Sequence, residues 1–368
     1  MNTIYLVSDL RPAGPTNQAY NLITGLSRLD CNPILVTLFE EPRDSWIERF
    51  RIVEGKFIQL YTDRKHLKEA ARRLDKIIAD SHVLIVHSSG MSADTVNRYI
   101  KSPVYKLTTI RQEFNVIGEK HNKLVRFVSR MVTKTNYKAM DMRVACSHIL
   151  ANNVQEATGL RIESVENVVD NDRFVPLENE KKYELRKQLG LPLDKKIYIS
   201  TGVFYKRKQM LELVKSFLSL KRDDVVLLLV GDGETYHDVE VLANGRSNII
   251  LTGKKSDPLQ YYQASDIFVS TSLAEGLPNT VMEAMACGLP CILSDIGPHK
   301  EIVDYNSNAG ILFKTQDYLS LKNILNESFN WDLSNKRKDA ISIIDKYLSK
   351  YVMANNYYNL YNKLLKNE

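Results

Sequence analysis

Short apolar runs recur along the chain and alternate with segments whose apolar residues have helical spacing. The run Val225–Val230 contains only valine and leucine, which is typical of a parallel strand covered on both faces. Similar runs predict a second series of strands from Lys196 onward and an early series at Thr3 to Val7, Pro33 to Phe39, His82 to His87, Val104 to Ile110 and Arg143 to Cys146. Because strands alternate with helices in both series, the chain is predicted to form two doubly wound α/β folds.

The length of 368 residues also favours two domains. The stretch from Val175 to Lys196 is rich in charge and has no long apolar run, so we place the boundary there. We expect Rossmann-like domains at 1–174 and 175–345 and a helical tail at 346–368. Two such domains would face each other across a cleft that holds the ligand.

Two carboxylates, Glu275 and Glu283, flank a predicted junction between a strand and a helix. Ala264 to Thr271 has the pattern of a buried strand, and Asn279 to Cys287 that of a helix. The N–H groups of Leu277, Asn279 and Thr280 would lie at the helix start, where the dipole favours an anion by about 0.3 to 1 kcal/mol. A phosphate would fit there, and the flanking carboxylates would accept hydrogen bonds from neutral hydroxyls. The alternative is a loop charge and an ordinary surface glutamate.

A second strand-to-helix junction carries two adjacent cations, Arg207 and Lys208. Two cations at the positive end of a helix favour an anion between them, and a diphosphate would serve. A solvated basic turn is the alternative. The sequence Gly231-Asp232-Gly233 after the apolar run predicts a tight turn at the end of that strand.

Taken in order, these motifs resemble retaining glycosyltransferase family 4, whose members have two Rossmann-like domains of GT-B type. The resemblance also includes Leu10 to Leu22, Ala145-Cys146-Ser147, Glu166 to Asp170, Ser294 to Gly297 and Glu301 to Val303. It implies a hexosyltransferase that moves a sugar from a nucleotide diphosphate, UDP being the more frequent in the family, with retention of anomeric configuration. It implies neither a metal nor another cofactor, and a last helix that crosses back to the first domain.

The resemblance also assigns roles to residues. Glu275 would bind hydroxyls of the donor sugar, Glu283 those of the ribose, and Arg207 and Lys208 the diphosphate. Leu277, Asn279 and Thr280 would lie at the phosphates, Lys254 and Lys255 near the base, and Gly14 where backbone approaches the donor. His87 and Arg111 are the candidates on the acceptor side; for His87, a structural histidine is the alternative.

Three positions depart from the family pattern. Arg111 stands where many relatives have a histidine near the donor sugar, and a branch that makes polysaccharides and surface antigens shares this arginine. Val203 replaces a frequent arginine, so Arg207 and Lys208 would carry the charge for the leaving group. Asn167 lacks the glycine that usually follows it.

The formal charge of +6 is concentrated between Arg98 and Arg143, a stretch that includes Lys120. The segment 122–140 predicts an amphipathic helix that bears Lys123, Arg126, Arg130, Lys134 and Lys138. Such a helix would suit anionic lipid and a lipid-linked acceptor; the alternative packs its apolar side in the core and leaves the basic side solvated. No motif for reading nucleic acid accompanies the charge.

The remaining features favour a cytoplasmic protein, at most peripheral to the inner face of the membrane. The four cysteines lack metal-ligand spacing and are expected to be buried thiols. No signal-peptide pattern opens the sequence and no apolar run is long enough to span a bilayer. Two other functions stay open: a sugar-nucleotide epimerase of the same architecture, and a subunit that binds nucleotide or lipid without catalysis.

Overall fold

The computed structural model describes residues 1–51, 56–119 and 121–366. It divides into two compact units, the first comprising Met1–Val168 and Lys350–Glu368 and the second Val169–Ser349. The sequence had placed these boundaries at 174/175 and 345/346. Lys120, which contributes to the basic stretch, lies outside the described residues.

The first unit contains a parallel sheet whose described strands have the order β3-β2-β1-β4-β5-β6-β7. The strands are β1 (Asn2–Val7), β2 (Asn32–Thr37), β3 (Lys56–Gln59), β4 (Ile85–Ser89), β5 (Tyr105–Ile110), β6 (Met142–Ala145) and β7 (Glu163–Ser164). Each strand of the predicted early series overlaps one of these.

The second unit contains a parallel sheet with the order β10-β9-β8-β11-β12-β13 over the described strands. They are β8 (Lys196–Thr201), β9 (Val225–Val230), β10 (Ile249–Leu251), β11 (Ile267–Ser270), β12 (Cys291–Ser294) and β13 (Gly310–Phe313). The chain leaves β8 toward one edge and returns to pair β11 with β8. The ends of β8 and β11 therefore form a topological switch point, where doubly wound sheets bind ligands.

Helices connect the strands of both sheets. In chain order they are α1 (Gly14–Leu26), α2 (Ile47–Arg51), α3 (Leu67–Asp80), α4 (Met91–Tyr99), α5 (Lys123–Lys138), α6 (His148–Thr158), α7 (Asn179–Gln188), α8 (Met210–Leu218), α9 (Tyr236–Ala243), α10 (Leu259–Ala264), α11 (Asn279–Ala286), α12 (Gly297–Val303), α13 (Tyr318–Glu327), α14 (Leu333–Ile343) and α15 (Lys350–Leu365). Short 3₁₀ turns occur at Phe114–Val116, Lys206–Lys208, Ser307–Ala309 and Ser328–Asn330, and a π turn at Ile344–Leu348.

The predicted alternation of strands and helices is confirmed, and burial explains it. Every side chain of β9 is buried, as expected for a strand between two helix layers. In the first unit, α15 packs against α1, and Met353, Tyr357 and Tyr361 enter the same core as the strands. The last helix is thus part of the first unit.

The four cysteines, Cys31, Cys146, Cys287 and Cys291, are all buried thiols that form no disulfide, as predicted. Burial raises the pKa of the Cys287 and Cys291 thiols, so both stay protonated at neutral pH. Among the described helices, none combines the length and the hydropathy needed to cross a bilayer.

Candidate functional site

A cavity of about 350 Å³ lies at the carboxyl ends of β8 and β9 in the second unit. Its lining comes from the ends of β8 and β9, the loops after β8, β9 and β10, and the helices α10 and α11: Thr201, Gly202, Val203, Val230, Gly231, Asp232, Gly233, Lys254, Lys255, Pro258, Tyr262, Thr280 and Glu283. Lys254, Lys255, Thr280 and Glu283 were candidates from the sequence. The cavity adjoins the switch point between β8 and β11, because Thr201 at the end of β8 and Gly202 and Val203 in the loop after it line the cavity.

Two glycines hold the backbone close around this cavity. Gly231 has a φ of +152°, and a Cβ built there would lie 1.9 Å from the carbonyl oxygen of Gly202. Gly233 has a φ of +154°, and its Cβ would lie 2.7 Å from the backbone nitrogen of Phe204. No side chain fits at either position, so the Gly-Asp-Gly turn is required by the packing of the two loops on each other.

Glu283 lies on α11 and is 8% exposed, with its carboxylate at the cavity. The hydroxyl of Tyr262 donates to Glu283 Oε2 at 3.1 Å and lies 2.6 Å from the hydroxyl oxygen of Thr201. Burial and the charge of Glu283 hold the pKa of Tyr262 well above its ordinary value, so it stays a neutral donor. Thr201 and Tyr262 therefore fix one face of the carboxylate.

The amino end of α11 borders the cavity through Thr280. Pro278 is its N-cap residue and provides no side-chain cap, and the helix begins at Asn279 as predicted. The first N–H groups of a helix have no partner within it, and the dipole adds positive potential. At the other end, α11 stops at Ala286 and Gly288 follows with a φ of +79°. Of the three residues predicted at this end, Thr280 lines the cavity, whereas Leu277 is buried and Asn279 opens the helix.

Glu275 forms an ion-paired cluster with both predicted cations. Lys208 Nζ lies 2.6 Å from Glu275 Oε1, and Arg207 Nη1 lies 2.9 Å from Glu275 Oε2. The hydroxyl of Ser272 also donates to Oε1 at 2.8 Å. The sequence had explained the adjacent cations by a diphosphate between them; in the structure the anion between them is Glu275.

The electrostatics of this cluster are those of a fixed carboxylate. Burial alone raises the pKa of Glu275, but the charges of Lys208 and Arg207 outweigh that effect and lower the pKa to about 2. The side chains of Glu275 and Lys208 are 9% and 11% exposed, whereas that of Arg207 is 44% exposed. Two cations and one carboxylate leave one positive charge in excess, and Arg207 is the cation most open to a ligand.

Gly14, predicted to approach the donor, is the first residue of α1 in the first unit. Its neighbours Ala13, Pro15 and Thr16 line a cavity of about 340 Å³ at the carboxyl end of β1. Gly14 itself is not a lining residue and has a helical backbone, so the conformational freedom of glycine is not used there.

His87 is wrongly predicted as a residue that faces the acceptor. It is fully buried, with Nδ1 2.7 Å from the hydroxyl of Tyr361 and Nε2 2.6 Å from that of Thr109. Burial and the charge of Arg111 hold its pKa well below the ordinary value, so the ring is neutral. Both ring nitrogens are hydrogen-bonded to buried side chains, so His87 is a structural histidine in the core of the first unit.

Arg111 is anchored by three side chains at the carboxyl end of β5. Its guanidinium donates to Asn167 Oδ1 at 2.9 Å, to Ser89 Oγ at 3.1 Å and to the Tyr5 hydroxyl at 3.2 Å. It also lines a third cavity, of about 300 Å³. Arg111 is therefore held rigidly beside a space that could receive a ligand, unlike His87.

The basic segment 122–140 contains the helix α5. The alternative in which the apolar side of this helix packs in the core is not what the structure shows. Arg126 and Arg130 are half-buried and donate to the carbonyl oxygens of Glu119 and Asn115 in the loop before the helix. The apolar residues at positions i, i+3, i+4 and i+7 face solvent instead: Leu124 is 71% exposed, Phe127 63%, Val128 50% and Met131 53%.

Sequence reasoning missed Tyr262, Thr201 and Pro258 in the second unit's cavity. Tyr262 lies on the short helix α10, where no charge or glycine marks it, and its partner Thr201 is 61 residues away. The only sequence signals for this part of the cavity were Pro258, which precedes α10, and the tyrosine itself, on the buried side of that helix.

Residues 181–344 match the sequence model of the family described as "Glycosyl transferases group 1". The chain is 26% identical over 260 residues to N-acetyl-alpha-D-glucosaminyl L-malate synthase of Bacillus anthracis, covering 68% of this chain and 65% of that protein. It is 31% identical over 175 residues to UDP-Gal:alpha-D-GlcNAc-diphosphoundecaprenol alpha-1,3-galactosyltransferase of Escherichia coli, covering 45% and 44%. The chain thus spans less than two thirds of the length of either relative.

Solved structures share the fold over the whole chain. A glycosyltransferase from Rickettsia africae superposes with a TM-score of 0.80 at 20% identity, covering 100% of this chain and 99% of its own. Anabaena HepE in complex with UDP gives 0.81 at 14% identity, with 99% and 100% covered. The chain therefore has the two-domain α/β fold of GT-B glycosyltransferases, and most of its second unit is similar in sequence to the group 1 glycosyl transferases.

Proposed function

We propose that the protein is a retaining hexosyltransferase that moves a sugar from a nucleotide diphosphate to a glycan or lipid-linked acceptor. The observation that carries the proposal is the site of the second unit, where a cavity, the start of helix α11 and a cation cluster adjoin one switch point. The E. coli relative uses a UDP-sugar and the Anabaena neighbour was solved with UDP, which supports a UDP-sugar as the donor.

Each part of the site suits one part of such a donor. Glu283 accepts a hydrogen bond from Tyr262, and the part of its carboxylate that faces the cavity would accept hydrogen bonds from the ribose hydroxyls. Lys254 and Lys255 would lie beside the base. The start of α11 would receive the diphosphate, since helix N-termini bind phosphate.

The cation cluster would act on the bond that breaks. As the sugar leaves, negative charge grows on the diphosphate, and preorganised cations stabilise that charge. Arg207 is exposed enough to reach the diphosphate, and Lys208 is held next to Arg207 by its ion pair with Glu275. Glu275 orients both cations and would accept hydrogen bonds from donor-sugar hydroxyls. With cations and helix N–H groups in this role, we propose that the transfer needs no metal ion and no cofactor.

The acceptor would belong to surface polysaccharide synthesis and would bind the first unit. The curated relatives include a putative teichuronic acid glycosyltransferase of Bacillus subtilis and the E. coli enzyme whose acceptor is a diphosphoundecaprenol. Arg111, anchored beside a cavity of the first unit, is the candidate to contact it.

The outer face of α5 supports a peripheral contact with membrane at the cytoplasmic side. Leu124, Phe127, Val128 and Met131 form an exposed apolar stripe, and Lys123, Lys134 and Lys138 lie along the same helix. An interfacial helix inserts apolar side chains among the acyl chains and pairs its cations with anionic headgroups. A lipid-linked acceptor is found at such a surface.

The experiment is a turnover assay with a panel of UDP- and GDP-sugars and undecaprenyl diphosphate-linked sugars as acceptors. We expect one donor to release its nucleoside diphosphate and a product whose anomeric configuration, read by NMR, equals that of the donor. Activity should persist with a chelator in excess over metal. Free monosaccharide without acceptor would instead favour the epimerase, and no turnover with any pair, despite nucleotide binding, would favour the non-catalytic subunit.

A further inference from the structure

The first unit contains a cavity of about 300 Å³ that the proposed donor site does not use. It lies at the carboxyl ends of β4 and β5, with α4 and α5 as further walls. Polar side chains from β4, α4, β5, the loop after β5 and α5 line it: Ser89, Asp94, Thr109, Arg111, Gln112, Thr133 and Tyr137. Apolar surface comes from Pro15, Met91, Ile110 and Ile117.

Asp94 is a buried carboxylate in this cavity with one oxygen already fixed. It is 5% exposed, and Oδ1 accepts from the hydroxyls of Ser88 and Thr108, each at 2.7 Å. Across the described residues, Oδ2 receives no hydrogen bond. Burial, only partly offset by the two hydroxyls, raises the pKa of Asp94 to about 6, so the group is still mainly a carboxylate at neutral pH.

Thr133 provides a second polar group that lacks a partner. It is 5% exposed on α5, and its hydroxyl finds no hydrogen-bond partner among the described residues. A threonine within a helix can bond the carbonyl four residues earlier. Other helical threonines of this chain do so: Thr24, Thr95, Thr135 and Thr158. The Thr133 hydroxyl is therefore a buried polar group without a partner among the described residues, on a side chain that lines the cavity.

Tyr137, one turn further along α5, presents a phenol to the same space. It is 5% exposed, and in the described part of the chain its hydroxyl makes no hydrogen bond. Burial and the nearby Asp94 charge raise its pKa, so it remains a neutral hydroxyl. The cavity is thus lined by a carboxylate oxygen of Asp94, which can accept a hydrogen bond, and by the neutral hydroxyls of Thr133 and Tyr137. The Arg111 guanidinium forms a further wall.

We propose that this cavity binds a single uncharged sugar unit, the terminal residue of the acceptor, through Asp94, Thr133 and Tyr137. A sugar ring offers several hydroxyls that both donate and accept, and C–H faces that pack on Met91, Ile110 and Ile117. An anion would face the Asp94 carboxylate and a cation the Arg111 guanidinium, so a neutral ligand fits best. The identity of the ligand as acceptor rests on the proposed function.

The test measures the binding of methyl glycosides of common hexoses and N-acetylhexosamines by saturation-transfer NMR, on the full chain without donor. We expect at least one to bind the wild type, and its affinity to fall about five- to tenfold in Thr133→Val and in Asp94→Asn. Thr133→Val removes an unpaired buried hydroxyl while keeping the shape, so the unliganded variant should melt no lower than wild type.

Thr135→Val is the matched control, because Thr135 lies on the same helix, is exposed and bonds Met131 instead. It should leave glycoside binding unchanged. The inference is overturned if no glycoside binds the wild type, or if Thr133→Val and Asp94→Asn bind as tightly as wild type. Stabilisation of the same variants by UDP reports on the donor site separately, so a failure of the proposed function appears there and a failure of this inference appears in glycoside binding.

Discussion

At the scale of single residues, Glu275 explains why two cations are adjacent in the sequence, because it is ion-paired with both. Adjacent Arg207 and Lys208 suggested an anionic ligand, yet their side chains already share a buried carboxylate. Their charges are therefore preorganised: the cluster has one net positive charge and a defined geometry before any donor arrives. Preorganised charge is what a transition state with a charged leaving group requires.

Arg207→Ala and Lys208→Ala should each reduce kcat of sugar transfer by about 10²- to 10³-fold, because each removes a cation from the leaving diphosphate. Lys206→Ala is the matched control: this exposed neighbour lies in the same 3₁₀ turn and contacts Glu234 only through its backbone N–H. Steady-state kinetics with saturating acceptor measures the effect. Turnover at the wild-type rate in either cluster variant would remove that residue from the proposed mechanism.

The free energy of unfolding of the Glu275→Gln variant should depend less on pH in the acid range than that of the wild type. The folded pKa of Glu275 is lowered to about 2 from an ordinary value of 4.5, so its stabilising contribution is present above pH 4.5 and is lost as the pH falls toward 2. The difference in free energy of unfolding between wild type and variant should therefore shrink over that window.

Urea unfolding at a series of pH values measures this difference, with Glu212→Gln as the control. Glu212 pairs with Lys215 on an exposed helix face, where ion pairs contribute little. A difference that stays constant from pH 5 to pH 2 would mean that Glu275 is not held as a charged group by the two cations.

At the scale of elements, the loops after β8 and β9 form the site by packing backbone on backbone. Gly231→Ala should destabilise the protein by more than Gly245→Ala. Both glycines have a positive φ, so both variants carry a strain of about 1 to 2 kcal/mol. Only Gly231 adds a clash, which should cost about 1 to 3 kcal/mol more.

Chemical denaturation measures both variants. The Gly231→Ala variant should also lose nucleotide binding, since the displaced loop carries Gly202 and Val203 of the cavity wall. Equal destabilisation by the two substitutions would show that the loops do not pack as closely as described.

The outer face of α5 makes a separate prediction. The double variant Leu124→Ser/Phe127→Ser should reduce co-sedimentation with vesicles that contain anionic lipid by about tenfold, because two exposed apolar side chains no longer enter the bilayer. Leu319→Ser, which alters a leucine that is 69% exposed on the second unit, is the control. Unchanged binding of the double variant, or dimerisation of the wild type through this face, would contradict membrane contact.

At the scale of the whole molecule, the sequence was most informative where structure is local. The apolar run of β9, the start of α11 at Asn279 and the glycine turn at Gly231 follow from composition and spacing over a few residues. For this reason the α/β architecture could be predicted, and several of the sequence candidates line the second unit's cavity.

Long-range contacts decided the rest. The burial of His87 depends on Tyr361, which lies 274 residues away on the last helix. Arg126 and Arg130 bond carbonyl groups of the preceding loop, so helical spacing predicted an amphipathic helix but not which side faces solvent. Pairings of this kind have no signature within a window of sequence.

The most direct test of the account is thermal stabilisation by UDP and GDP, measured on wild type, Glu283→Ala and the surface control Glu240→Ala. Ligand at 100 times its Kd adds about 2.7 kcal/mol, which should raise Tm by several degrees in a unit of this size. We predict that one nucleotide stabilises wild type and Glu240→Ala, and that the shift is lost in Glu283→Ala. No shift in the wild type with either nucleotide, or a full shift in Glu283→Ala, would contradict a donor site at the second unit's cavity.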